Sequence, residues 1–156
     1  MLKPRAVSRG WRDDGAMTGR INNITFDCAD AQALAGFWAE VLGWNVYFDD
    51  DPEVMVAPAF PPPRGNVAPT MLFIPVPEGK TAKNRMHVDI APTDRTRDDE
   101  VQRLLALGAT LVADHRTDDG AGWAVLADPE GNELCIERSD AERGVAKPQR
   151  HRITSD

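Results

Sequence analysis

Residues 23–44 read NITFDCADAQALAGFWAEVLGW, and the reading of this stretch decides the fold. At its start Ile24, Phe26 and Cys28 alternate with Asn23, Thr25 and Asp27, the period-two pattern of a strand buried on one side, predicted over 21–28. Asp30 follows where a short carboxylate can accept from the unpaired amides of a first helical turn. Leu34, Phe37, Trp38, Val41 and Leu42 then recur at helical spacing and define one apolar face. Gly43 supplies the left-handed stop.

Outward from this stretch the same order is written a second time. After the first helix, strands are predicted at 44–48, 54–57 and 70–76, and PAFPPPRGNVAP at 58–69 is a loop because its prolines exclude a helix or a central strand. In the second copy, 85–91 alternates Met86, Val88 and Ile90 with His87 and Asp89. Thr96 and Asp99 resemble a capping box before a stripe of Val101, Leu104 and Leu105 that ends at Leu107-Gly108. Strands at 110–113, 123–127 and 132–137 close the copy, the last two joined by the tight turn Asp128-Pro129-Glu130-Gly131. Strand–helix–strand–strand–strand, twice, is an α+β class. Two βαβββ modules, 20–78 and 84–138, are expected to pair into one curved mixed sheet around a concave cleft, since neither buries its sheet alone. The domain, 20–138, lies between a flexible leader, 1–19, and a polar tail, 139–156, that packs weakly; Met1 and Met17 are both open as starts.

Composition narrows the function. The 156 residues are 42% hydrophobic and 28% charged, and the net charge of −7 argues against nucleic acid and anionic membrane surfaces, which need clustered cations. No apolar run is long enough for a membrane helix, and the basic opening lacks the apolar segment of a secretory signal. Cys28 and Cys135 lie far apart in apolar runs, so no disulfide framework is expected and the cytoplasm is the expected compartment.

NITFDCADAQALAGFWAEVLGW, KNRMHVDI and GWAVLADPEGNELCIE together resemble the vicinal oxygen chelate superfamily, specifically its glyoxalase-like domains, over about 21–137. The resemblance implies isomerases, dioxygenases, thiol transferases and antibiotic-sequestering proteins as relatives, and a two-fold dimer. In the metal-dependent members it implies four ligands, whose positions fall at or near Asn23, Ile74, His87 and Cys135. Only His87 is of the expected type. Asparagine is a poor ligand and isoleucine none, so neither a metal nor another cofactor is expected, although a His87–Asp89–Glu133 cluster could hold a divalent ion loosely.

The alternation itself places Asn23, Thr25 and Asp27 on one strand face, His87 with Asp89 on another, and Glu133, Cys135 and Glu137 on a third. With Ile74 these are the expected ligand-binding residues of a small-molecule cleft, and the carboxylates favour a cationic or amine-bearing ligand. His87 is the expected acid or base, because imidazole suits proton transfer near neutral pH, and Met86 and Val88 are expected to turn towards the helices. Cys135 reads as an inert buried thiol, and Trp44 and Trp123 as either core or cavity wall. The stretch PEGKTAKNR reads as a lid over the cleft mouth. The expected activity is that of a metal-independent lyase or isomerase, with non-catalytic binding or antibiotic sequestration as the alternative.

Overall fold

The computed structural model describes residues 21–48, 50–59 and 69–144. The leader with Met17, most of the proline-rich loop and the tail from 145 onward lie outside the described residues. The first module is β1 (Asn23–Cys28), α1 (Ala31–Leu42), β2 (Asn45–Tyr47), β3 (Val54–Ala57) and β4 (Thr70–Pro75). The second is β5 (Val88–Ile90), α2 (Arg97–Ala106), β6 (Thr110–Asp114), β7 (Ala124–Ala127) and β8 (Glu133–Ile136).

Both helices start on the expected residues. The Asp30 carboxylate accepts from the Ala33 amide at 2.9 Å, and Gly43, at φ 64°, closes α1 by donating to the Ala39 carbonyl. In α2 the Thr96 hydroxyl accepts from the Asp99 amide at 3.1 Å and donates to the Asp99 carboxylate at 2.7 Å. Asp99 is one methylene shorter than the glutamate of a full capping box and takes the hydroxyl instead of the Thr96 amide.

Each module builds a four-stranded mixed sheet, in the orders β1-β4-β3-β2 and β5-β8-β7-β6, with β1 parallel to β4 and β5 parallel to β8. The expected class and modules are present, with one correction: among the described residues no ladder joins the two sheets, and β1 and β5 are edge strands. Side chains join the halves instead. One apolar cluster runs through Leu34, Trp38 and Phe73 of the first module and Leu104, Leu126, Leu134 and Ile136 of the second. The β7–β8 turn of the second module docks on the start of α1. There Glu130 accepts from the amides of Ala29 and Asp30, and the fully buried Trp38 donates its indole N–H to Asp128 at 3.1 Å.

The strand beginning at 85 is shorter than its alternation suggests. Arg85, Met86 and His87 stand outside the ladder, and Met86 is 79% exposed instead of turning towards the helices. The start of the polar tail is also packed. Ser139 is buried, and Glu142 accepts from the Ser139 and Arg97 amides, closing the N-terminus of α2. Arg97 is buried too, and its guanidinium donates to the carbonyls of Gly120, Ala121 and Gly122 at 2.7–3.2 Å, which fixes the turn between β6 and β7. Among the described residues no helix is long and apolar enough to cross a membrane.

Candidate functional site

Two neighbouring cavities share one wall. The larger, about 870 Å³, lies between the open edge of β1 and the segment from Val76 to Val88, so the stretch read as a lid does flank it. The smaller, about 360 Å³, lies against β5, β7 and β8 and is walled by Trp123, His115 and Val125. Lys83, His87 and Glu133 line both.

The sequence-predicted residues divide between them. Thr25 and Asp27 face the larger cavity, and Asp89, Cys135 and Glu137 the smaller. Two are not brought in. The Asn23 amide oxygen is taken by the Thr70 hydroxyl at 2.6 Å, and Ile74, beside Asp27 in the β1–β4 register, lines neither cavity.

His87 is the centre of the arrangement. Its Nδ1 lies 2.9 Å from the Asp89 carboxylate and 3.4 Å from the Cys135 sulfur, which approaches from β8 opposite Asp89. Nε2 makes no hydrogen bond among the described residues. A carboxylate accepts only, so Asp89 fixes the neutral ring with its proton on Nδ1 and a lone pair on Nε2. Burial pushes the Cys135 thiol up to about 11, helped by its hydrogen bond to Asp89 and by the negative charges of Asp89, Glu137 and Glu133. It is therefore a protonated thiol at neutral pH, not a nucleophile.

The acids in the cleft are mostly answered from within the chain. Lys83 pairs with Glu133 and holds its carboxyl below the usual range, Arg143 pairs with Glu137, and His87 with Asp89. Asp27 alone of the expected acids has no hydrogen bond or ion pair among the described residues. The fit of the family's metal can be tested on the donors. Asn23 is engaged elsewhere and Ile74 has no donor atom, so that set of four does not fit. The donor atoms that do converge, within 4.8 Å, belong to His87, Asp89 and Cys135, knit by their own hydrogen bonds. Glu133 is not one of them.

Trp123 is cavity wall, with its ring 4.9 Å from that of His115, whereas Trp44 packs on the core. His115 follows β6 directly and lines the smaller cavity. A register shift between Leu111 and Ala113 hides the phase that carries it into the cavity.

The chain belongs to the glyoxalase-like domain family, whose model matches residues 23–137. The fold is shared with a glyoxalase/bleomycin resistance protein/dioxygenase family enzyme from Burkholderia phytofirmans PsJN, at 19% identity and TM-score 0.57 over 76% of this chain and 97% of that one. It is shared with the fosfomycin resistance protein FosX of Listeria monocytogenes, solved with Mn(II), at 12% identity and TM-score 0.59 over 82% and 95%. Leishmania major glyoxalase I aligns at 16% identity and TM-score 0.54 over 83% and 100%. At these identities the likeness is one of fold. The search of curated proteins found no match.

Proposed function

We propose that this glyoxalase-like protein binds a small organic molecule in the larger cavity and moves a proton on it with His87, as a metal-independent lyase or isomerase. The observation that carries the reading is the His87–Asp89 pair, 2.9 Å apart, with the other imidazole nitrogen unengaged at the wall of both cavities. Asp89 orients the ring and stabilises the imidazolium formed when Nε2 takes a proton. Cys135 backs the same ring edge as an uncharged thiol. An amine on the ligand would find Asp27, the acid left without a partner among the described residues.

The test is His87→Ala against a metabolite panel, followed by product detection and thermal shift. His87 is 44% exposed and Asp89 51%, so removing the ring leaves a hydrated carboxylate. A surface change of this kind alters stability by about 0.5 kcal/mol or less, a shift of the melting temperature of a few degrees at most. Turnover should vanish, and His87→Gln should keep part of the binding without turnover. A ligand returned unchanged by the native protein would make it a binding or sequestration protein. A large fall in melting temperature with intact turnover would assign His87 to the scaffold.

A further inference from the structure

The wall of the larger cavity is a strand edge. Four consecutive residues, Ile24–Asp27, line it, which a strand presenting one face could not do. The direction of the main chain follows from the β1–β4 ladder. The Thr70 amide donates to the Asn22 carbonyl and the Val76 amide to the Cys28 carbonyl, so the even-numbered residues of β1 turn their peptide groups to β4. The alternate residues, Thr25 and Asp27, point theirs the other way, towards the cavity, and these groups make no hydrogen bond among the described residues. An open strand edge is a template for a further chain.

We infer that the cavity recognises an extended, amide-bearing chain of about four residues' length, which adds alongside β1 through the main-chain groups of Thr25 and Asp27. The length follows from the wall: four residues at about 3.3 Å each span roughly 13 Å. The opposite wall selects the occupant. The stretch from Glu78 to Asn84, with Met86–Val88, bounds the cavity on that side, so the space beside β1 is about 870 Å³, the size of a small-ligand pocket and not of a second copy's sheet. His87, on that opposite wall, would face a carbonyl-activated carbon of the bound chain. This inference rests on the proposed function for its site and adds the ligand class.

The experiment uses the full-length protein, amide-resolved NMR and a library of acetylated, C-amidated tetrapeptides. The expected result is that a binding member shifts the Thr25 and Asp27 amide signals and slows their hydrogen exchange at least tenfold. N-methylation of the two alternate peptide nitrogens facing β1 should weaken binding at least tenfold, and methylation of the other two should not. Thr25→Pro deletes an outward N–H that the ladder does not use, a substitution edge strands accommodate, and should weaken the same peptides at least tenfold. Equal binding of all N-methylated probes, no binding by any tetrapeptide, or Thr25 and Asp27 amides already protected in the free protein would each overturn the inference, the last by making the chain itself or a second copy the occupant. The two readings fail separately. A non-peptide metabolite turned over through His87 would keep the proposed function and sink the strand addition. Tetrapeptides bound at Thr25 and Asp27 but never converted would do the reverse.

Discussion

Cys135 sits 3.4 Å from His87 Nδ1 at the bottom of the smaller cavity, where an unperturbed thiolate would be a nucleophile and a metal ligand. Burial and the surrounding carboxylates prevent that by lifting its titration to about 11, and Cys28 is lifted to about 11 as well, by burial first and then by Glu130. A raised folded value means that the neutral thiols stabilise the native state fully below the unfolded thiol's titration, near about 8.5, with that contribution lost as pH rises through the folded value. Iodoacetamide labelling followed by mass spectrometry should show a half-maximal native rate near pH 11 at Cys135, which lines the smaller cavity, and near the ordinary thiol range in urea. Native labelling of Cys135 that is already half-maximal near pH 8 would return it to the list of nucleophiles. The His87–Asp89 pair was legible in the sequence because alternation brings residues two apart to one side, and that holds although His87 lies just before β5. The Lys83–Glu133 pair was not, because its partners are 50 residues apart and one comes from an irregular segment.

At the scale of elements, caps and strand ends differ in how much the sequence tells. Helix boundaries depend on local chemistry, the Asp30 and Thr96 oxygens and the positive φ of Gly43, and all three were readable. Strand ends depend on whether a partner strand is paired alongside, so alternation ran past the ladder, which begins only at Val88 opposite Leu134. The turn between β6 and β7 shows a tighter constraint. At Gly122, with φ 80°, an added Cβ would lie 1.9 Å from the His115 carbonyl oxygen, and the neighbouring Trp123 carbonyl accepts from the His115 amide. Gly122→Ala should therefore destabilise by about 2 kcal/mol or more, through backbone strain and displacement together. Urea unfolding should show the midpoint falling at unchanged slope, and the His115–Trp123 contact should be disturbed in the near-ultraviolet circular dichroism. A variant of wild-type stability would show that the turn relaxes freely and that Arg97 does not hold it.

For the whole molecule, the first and last of the three sequence stretches that carry the family resemblance meet physically. Trp38 of one donates to Asp128 of the other, in an environment where Trp38 is fully buried and Asp128 is 2% exposed. Trp38→Phe removes the indole donor together with part of the ring's volume, leaving a cavity beside Asp128, which keeps the Glu130 amide and the Asn132 main- and side-chain donors. We expect a loss of about 2 kcal/mol or more by denaturant unfolding, the lost partner of a buried acceptor adding to the cavity, with a single transition because both halves share one core. Two separate transitions would mean that the modules are independent. The duplication was readable because each copy repeats the same caps and stripes. The separation of the two sheets was not, because no residue pattern states whether the edge of β1 meets another strand.

That contact has a consequence for synthesis. Trp38 and Asp128 are 90 positions apart, so at ribosomal rates of about 5–20 residues per second the tryptophan leaves the tunnel roughly 5 to 18 seconds before its acceptor exists. Through that interval the first half carries its broad indole, and the amides of Ala29 and Asp30, without the turn that receives them. The nascent chain is thus most open to chaperones and proteases over the stretch of translation in which its second half is still being made.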